Sequence, residues 1–291
     1  MAGVTLANPM LNRPHTEFVQ AQSLPWQPAP NGDVRSGAEY KTLSRDAADG
    51  ACSCLIRYPA GWTRVADEAI AAAEEFYVLD GALEIDGQVY AADHYGHIPA
   101  HWPRSSMRSP SGAVVLTFFD ARPASSPPEA KPEPGVAPVH TDVLHKPWDM
   151  SLNDPKLAHL GISRKDLRLG ADGSRTLLSM ILPHSEPVGS KGPRESHPIV
   201  EECFMLSGSL IGQPGNMQPG AYFWRPPGIE HGPYGTRWGC VALIRFVGGR
   251  HVNVWSADES PFDFDAPYSP VLPPELAELA DRPVPQQPPR Y

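Results

Sequence analysis

The chain repeats one order of sequence features on either side of a proline-rich segment. EEFYVLDG at 74–81 matches EECFMLSG at 201–208, and YKTLSRDAADG at 40–50 matches RKDLRLGADG at 164–173. The ends of the copies also match, DHYGHIPAHWPR with GAYFWRPPGIEH. Such a repeat constrains the fold before any single motif does, because both copies must suit the same structure. The sequence therefore predicts two domains of one type.

Each copy is predicted to consist of β-strands. The 35 prolines and 25 glycines punctuate short runs rich in Val, Ile, Phe, Tyr and Thr, a pattern typical of sandwiches and barrels. The predicted strands lie at 52–58, 74–85, 113–120, 175–182, 202–211 and 240–247. Only one short helix is expected, in PPELAELA near residue 275. The predicted fold class is all-β.

Two segments lack the apolar residues that a core needs. ARPASSPPEAKPEPGVAPVH at 121–140 predicts an extended, semi-stiff linker, and RPVPQQPPRY closes the chain. We therefore expect an N-terminal domain at 1–120, a C-terminal domain at 141–272 and a C-terminal tail at 273–291.

The composition excludes several classes of partner. The formal net charge is -9 and no long basic block occurs, so neither nucleic acid nor an anionic membrane is expected as a partner. Four scattered cysteines without a C-x-x-C pair argue against a disulfide scaffold. No signal peptide and no membrane-spanning run is visible. We expect a cytoplasmic protein with a small-molecule substrate, and homodimer formation is open.

One face of a predicted strand carries potential metal ligands. Because side chains alternate between the faces of a strand, residues at even separations share a face. Five such residues are Glu195, His197, Glu201, Cys203 and Met205. Downstream, the Pro-Gly turn in PPGIEH precedes His231 and can direct it back to this face. The alternative is that these are ordinary hydrogen-bonded residues at strand ends, with Cys203 and Met205 in core packing.

These residues resemble the motifs of the cupins, G-x5-H-x-H-x(3 or 4)-E-x6-G and G-x5-P-x-G-x2-H-x3-N. The first motif is filled by Gly189, His197, Glu201 and Gly208, with Glu195 at the first histidine position. The second is filled by Gly220, Pro226, Gly228 and His231, with Gly235 in place of Asn. The repeated openings SLPWQP and HKPWD resemble the ChrR-type branch. The resemblance implies a bicupin, two cupin-type (double-stranded β-helix or jelly-roll) barrels in tandem, with a metal at Glu195, His197, Glu201 and His231.

The first copy departs from this pattern. Its matching positions hold Asp67, Ala69, Glu74 and Arg104, and one extra residue before Glu74 breaks the alternation. A guanidinium cannot coordinate a metal. We therefore expect an internal ion pair between Arg104 and Glu74 where the metal would otherwise lie.

The ligand set allows several metals and reactions. Oxygen and imidazole ligands suit Fe(II), Mn(II), Ni(II) or Zn(II), and the resemblance favours Fe(II) and a dioxygenase acting on a diketone, hydroxyketone or phenolic ketone. Glu195 is either a ligand or a general base, and Arg225, Cys203 and Met205 are candidate substrate contacts. The alternatives are a redox-neutral isomerase, lyase or decarboxylase, and a non-catalytic metal-binding sensor module.

Overall fold

The structure, a computed structural model, describes residues 13–29, 33–151 and 154–282. These ranges contain twenty β-strands and three short 3-10 helices, at Ala21–Ser23, Pro155–Leu160 and Pro274–Leu279. The all-β prediction is confirmed, and the short helix predicted in PPELAELA is present. No helix among the described residues is long and apolar enough to cross a membrane. Residues 283–291 of the predicted tail lie outside the described residues.

The N-terminal unit spans Leu24–Lys146. Its strands are β2 (Gln27–Pro28), β3 (Glu39–Arg45), β4 (Cys52–Tyr58), β5 (Trp62–Glu68), β6 (Glu74–Ile85), β7 (Gln88–Ala91), β8 (His94–Ile98), β9 (Arg104–Ser109), β10 (Ala113–Phe119) and β11 (Val139–Asp142). One sheet has the order β11-β8-β6-β10-β4-β3-β2, while β5 and β7 join through β9 and β6. The predicted strand bounds at 52–58 and 74–85 are those observed.

The long strand β6 pairs with four other strands of this unit. Its first half pairs with β8 and β10, and its last four residues pair with β7 and β9. The strand bends at Gly81, which has a φ of 70°. A Cβ there would lie 2.0 Å from the carbonyl oxygen of Gly112, so only glycine allows this approach. Gly208 has the same φ and lies equally near Gly239.

Among the described residues, the C-terminal unit is formed by 13–23, 147–151 and 154–282. Its strands are β1 (Thr16–Gln20), β12 (Ser163–Leu169), β13 (Arg175–Ile181), β14 (Lys191–Ser196), β15 (Val200–Gly208), β16 (Leu210–Gly212), β17 (Gly215–Met217), β18 (Ala221–Arg225), β19 (Cys240–Val247) and β20 (Val254–Pro261). The main sheet has the order β1-β18-β15-β19-β13-β12, and β14 pairs with β20 and β16 with β17.

The division of the chain differs from the expected boundaries at 1–120 and 141–272. Strand β1 precedes the first repeat but pairs with β18, so residues 13–23 lie in the C-terminal unit. Strand β11 precedes the second repeat but pairs with β8 in the N-terminal unit. The physical reason is edge pairing, because each strand satisfies the free backbone groups of a sheet edge formed by the other repeat.

Candidate metal centre

Three potential ligands converge in the C-terminal unit. Glu195 lies near the end of β14, His197 directly follows that strand, and His231 follows the turn after β18. The backbones of Glu195 and His231 exchange two hydrogen bonds of 3.0 and 2.9 Å. One ligand atom from each of Glu195, His197 and His231 lies within 4.8 Å of the others. The arrangement is two imidazoles and one carboxylate.

Both imidazoles are oriented by the backbone. The Nδ1 atom of His197 lies 3.1 Å from the carbonyl oxygen of Val252, and that of His231 lies 3.0 Å from the carbonyl oxygen of Ile229. A carbonyl can only accept, so each Nδ1 carries a proton, and Nε2 is the ring nitrogen that is available to a metal. Partners of this kind hold metal-ligating histidines in place in proteins.

The carboxylate of Glu201 lies beside the two imidazoles and is also hydrogen-bonded to Arg225. Its Oε2 is 3.5 Å from His231 Nε2 and 3.8 Å from His197 Nε2. The same oxygen accepts a 2.6 Å hydrogen bond from Arg225 Nη1. Arg225 also donates to Glu17 through Nε and Nη2, and Nη2 contacts the hydroxyl of Tyr234. Of the four predicted ligands, Glu201 is therefore the one that lies outside the group of three and is hydrogen-bonded to Arg225.

The residues fit a divalent cation in two respects. Glu195 Oε2 is buried without a hydrogen-bond partner among the described residues, although a buried polar atom normally has one. The charges also fit, because Glu17, Glu195 and Glu201 carry three negative charges when ionised and Arg225 one positive charge. A divalent cation would neutralise the remaining charge of two and satisfy Oε2.

The pKa values reflect the same electrostatics. Burial, and then the charge of Glu201, raise the pKa of Glu195 to about 8. Burial would also raise the pKa of Glu201, but Arg225, His231 and His197 outweigh it and lower the value to about 2. Burial and the nearby Arg225 lower the pKa of His231 to about 4. His231 is thus a neutral imidazole at pH 7, the form that coordinates metals.

A cavity of about 90 Å³ opens beside the group, enough for several water-sized bodies. Most of its wall is apolar and includes Leu160, Ile162, Leu210, Phe223 and Phe246. Such a lining suits a small, largely apolar ligand that meets a few polar groups at one end.

The predicted substrate contacts differ in position. Cys203 and Arg225 line the cavity, whereas Met205 is fully buried in the core and does not. A shift of register in β15 directly after Met205 accompanies this difference. The guanidinium of Arg225 donates hydrogen bonds to Glu17 and Glu201 and contacts Tyr234. These contacts are with the protein itself and are structural.

Three residues of the site were not predicted from the sequence. Glu17 and Tyr234 contact Arg225, and the ring of His251 packs 4.7 Å from that of His197 and 3.8 Å from that of Phe246. None of the three occupies a motif position. The available signal for Glu17 was an acidic residue within TEFVQ, a run that reads as a strand.

The first repeat holds an ion cluster in the equivalent place. Glu68 pairs with Arg104 as Glu195 pairs with His231, and Glu74 pairs with Ile98 as Glu201 pairs with Arg225. Corresponding pairs have the same separation in both repeats, 36 residues for the first kind of pair and 24 for the second. The equivalents of Glu195 and His197 are therefore Glu68 and Ile70, and the expectation of Asp67, Ala69 and an extra residue is wrong by one position.

The ion pair predicted between Arg104 and Glu74 is confirmed, and a second arginine joins it. Glu74 Oε2 accepts hydrogen bonds from Arg104 Nη1 and, at 2.6 Å, from Arg35 Nη2. All three side chains are buried. Ile70 is also buried, so an apolar side chain lies where the second repeat has His197. The repeat therefore has a fixed cation cluster in place of the imidazoles.

Comparison with known proteins agrees with this architecture. Residues 14–121 match the family model of the ChrR Cupin-like domain, a match that does not extend over the second repeat. No curated protein sequence matches the chain significantly.

Two kinds of solved structure are similar to most of this chain. The structure of a candidate dioxygenase from Nostoc punctiforme is similar with a TM-score of 0.69 at 16% identity, over 88% of this chain and 94% of that one. A variant of Bacillus subtilis oxalate decarboxylase is similar with a TM-score of 0.53 at 14% identity, over 82% of this chain and 78% of that one. Another of these structures concerns the Mn(II) centres of that enzyme. At such identities the likeness shows the fold alone, and the chain is an all-β protein of cupin-type jelly-roll architecture whose first repeat matches the ChrR Cupin-like domain.

Proposed function

We propose that the chain is a metal-dependent enzyme, a non-haem Fe(II)-type dioxygenase that acts on a small oxygenated substrate such as a diketone, hydroxyketone or phenolic ketone. The observation that carries this proposal is the group of Glu195, His197 and His231 at the end of an apolar cavity. Two histidines and one carboxylate with open positions are typical of Fe(II) oxygenases. The similarity of the fold to a candidate dioxygenase supports the proposal.

Each residue of the site has a task in this reaction. Glu195, His197 and His231 would hold the metal, and the carbonyls of Val252 and Ile229 fix the two rings. A bound Fe(II) would supply Lewis-acid polarisation of the substrate oxygens and one-electron chemistry with dioxygen. The apolar wall around Phe223 excludes water from the organic part of the substrate.

Redox-neutral chemistry is the second candidate. Glu195 Oε2 has no hydrogen-bond partner among the described residues, and Glu195 lines the cavity. This oxygen is therefore placed to accept a proton from a substrate carbon or hydroxyl. An isomerase, lyase or decarboxylase would use the same group, and the fold of oxalate decarboxylase is also similar.

A non-catalytic metal-binding sensor is the third candidate, but its site would be expected to be closed.

The test begins with metal analysis of the purified protein. The protein is then loaded under anaerobic conditions with Fe(II), Mn(II), Ni(II) or Zn(II), and oxygen uptake is measured with a panel of diketones, hydroxyketones and aromatic ketones. We expect uptake only with the Fe(II) form. His197→Ala should abolish both metal retention and uptake, whereas His145→Ala, at a side chain that is 86% exposed in the other unit, should change neither.

The three candidates give different results. Product formation without oxygen uptake would replace the dioxygenase by the redox-neutral enzyme. Tight metal binding with no turnover of any panel member would favour the sensor module. A folded wild-type protein that retains none of the four metals would refute all three.

A further inference from the structure

The buried ion cluster of the N-terminal unit carries one positive charge more than its carboxylate can neutralise. Arg35 and Arg104 both donate to the same oxygen of Glu74. Among the described residues, neither guanidinium lies within 4.0 Å of another carboxylate. Glu68, the equivalent of Glu195, is paired with Arg64 at 2.7 Å. An unbalanced buried charge is costly unless a counterion or further hydrogen bonds stabilise it.

The donors of Arg104 that have no hydrogen-bond partner among the described residues lie on one edge of its guanidinium. Its Nη1 donates to Glu74, while Nε and Nη2 are buried and have no hydrogen-bond partner among the described residues. Nε and Nη2 form one side of the planar guanidinium. Two parallel N–H groups on one side bind the two oxygens of a carboxylate in a bidentate manner. The free donors of Arg104 therefore have the geometry of a carboxylate-binding fork.

A cavity adjoins this arginine. It measures about 240 Å³ and is lined by Arg104 together with Ile85, Tyr90, Ile98, Trp102, Pro138 and others. Tyr90 and Trp102 provide aromatic surface, which suits a flat or apolar body. The acidic residue at the cavity, Asp86, accepts hydrogen bonds of 2.8 Å at Oδ1 from the backbone N–H groups of Ser105 and Ser106, so this oxygen already has partners.

We infer that the N-terminal unit binds a small organic carboxylate, with the carboxylate on Nε and Nη2 of Arg104 and the apolar part between Tyr90 and Trp102. Arg104 stands at the position that His231 occupies in the second repeat. The fixed charge of a guanidinium there takes the place of a metal cation. This repeat is then a ligand-binding domain in its own right, and the inference does not depend on the activity of the C-terminal unit.

The test is isothermal titration of the full chain with benzoate, which combines a carboxylate with an aromatic ring. Benzamide, which has the same shape without the charge, is the comparison ligand. Loss of a bidentate charged contact corresponds to about a tenfold to hundredfold loss of affinity. We expect that loss in Arg104→Gln and also in Arg104→Lys, which keeps the charge but lacks the fork. Benzamide should bind at least tenfold more weakly than benzoate.

Three further variants keep the result decisive. Arg108→Gln removes an arginine of the same strand whose side chain is 57% exposed, and it should leave benzoate affinity unchanged within about twofold. Glu195→Gln should also leave it unchanged, because that residue belongs to the candidate metal centre. Trp102→Ala removes a cavity wall without touching the ion cluster, and it should weaken benzoate even where the Arg104 variants fail to fold.

Several outcomes would overturn the inference. These are the absence of benzoate binding to the wild-type chain at millimolar concentration, equal binding of benzamide, and benzoate affinity that folded Arg104 variants or Trp102→Ala retain. Loss of benzoate binding in Glu195→Gln would place the ligand at the other unit instead.

Discussion

One matched pair of substitutions can distinguish the roles of Glu195 and Glu201 in metal binding and in stability. Glu195→Gln removes the carboxylate that forms a group with His197 and His231. Loss of a partner that merely orients a ligand typically lowers metal affinity by about 10-fold to 100-fold, so loss of the ligand itself should exceed 100-fold. Because Glu195 Oε2 has no hydrogen-bond partner among the described residues, the apoprotein should lose little stability.

Glu201→Gln should give the opposite pattern. Arg225 would keep its hydrogen bonds to Glu17 and its contact with Tyr234. Only its hydrogen bond to residue 201 would change, from one between two charged groups to one with a neutral acceptor. A charge-assisted hydrogen bond is roughly twice as strong as a neutral one. The cost in unfolding free energy should therefore be about 1–2 kcal/mol, with metal affinity lowered by at most about 10-fold to 100-fold, less than in Glu195→Gln.

The assay is a competition titration with a chelator of known affinity, combined with urea unfolding of the metal-free proteins at pH 7. The main effect should be a loss of metal affinity in Glu195→Gln and a loss of stability in Glu201→Gln. If Glu201→Gln lost the metal while Glu195→Gln kept it, Glu201 would be the ligand and Glu195 the group left to move a proton. That result would refute the assignment of the triad.

Three other outcomes are expected. Gly208→Ala should prevent stable folding of the C-terminal unit, seen as loss of its cooperative unfolding transition, because a Cβ would lie 2.0 Å from the carbonyl oxygen of Gly239. Although burial opposes it, Arg35 and Arg104 lower the pKa of Glu74 below its ordinary 4.5. The stability from ionised Glu74 is therefore present above about pH 4.5 and is lost as the pH falls through the lowered value, so urea midpoints of wild type and Glu74→Gln should converge in acid. Chelation of the metal should lower the unfolding free energy by about 2.7 kcal/mol where the free metal had been at 100 times its dissociation constant, as thermal denaturation with and without chelator can check.

The sequence predicts the features that depend on local pattern. Alternation along β14 and β15 places Glu195, His197, Glu201 and Cys203 at one cavity, as the structure shows. The pairing of Arg104 with Glu74 follows equally from the comparison of the two repeats. In the first case the spacing lies within two consecutive strands and the short turn between them; in the second, the match between the repeats supplies a partner from a different strand.

Features that depend on partners distant in the chain could not be predicted. The shift from Asp67 to Glu68 could not be predicted because the observed position is set by the pairing between β5 and β9. Glu17 lies 208 residues before Arg225, and nothing in TEFVQ indicates which sheet the strand joins. Only the strand partner determines the register and the sheet in such cases.

The two repeats differ in the sign of the charge at equivalent positions. In the C-terminal unit three carboxylates face one guanidinium, which leaves a charge that suits a divalent cation. In the N-terminal unit two guanidinium groups face Glu74, which leaves a charge that suits an anion. Replacing Ile70 and Arg104 by histidine would therefore be insufficient to create a metal site there. Arg35 would still bind Glu74, so that pair would be neutral and would offer a cation no net attraction.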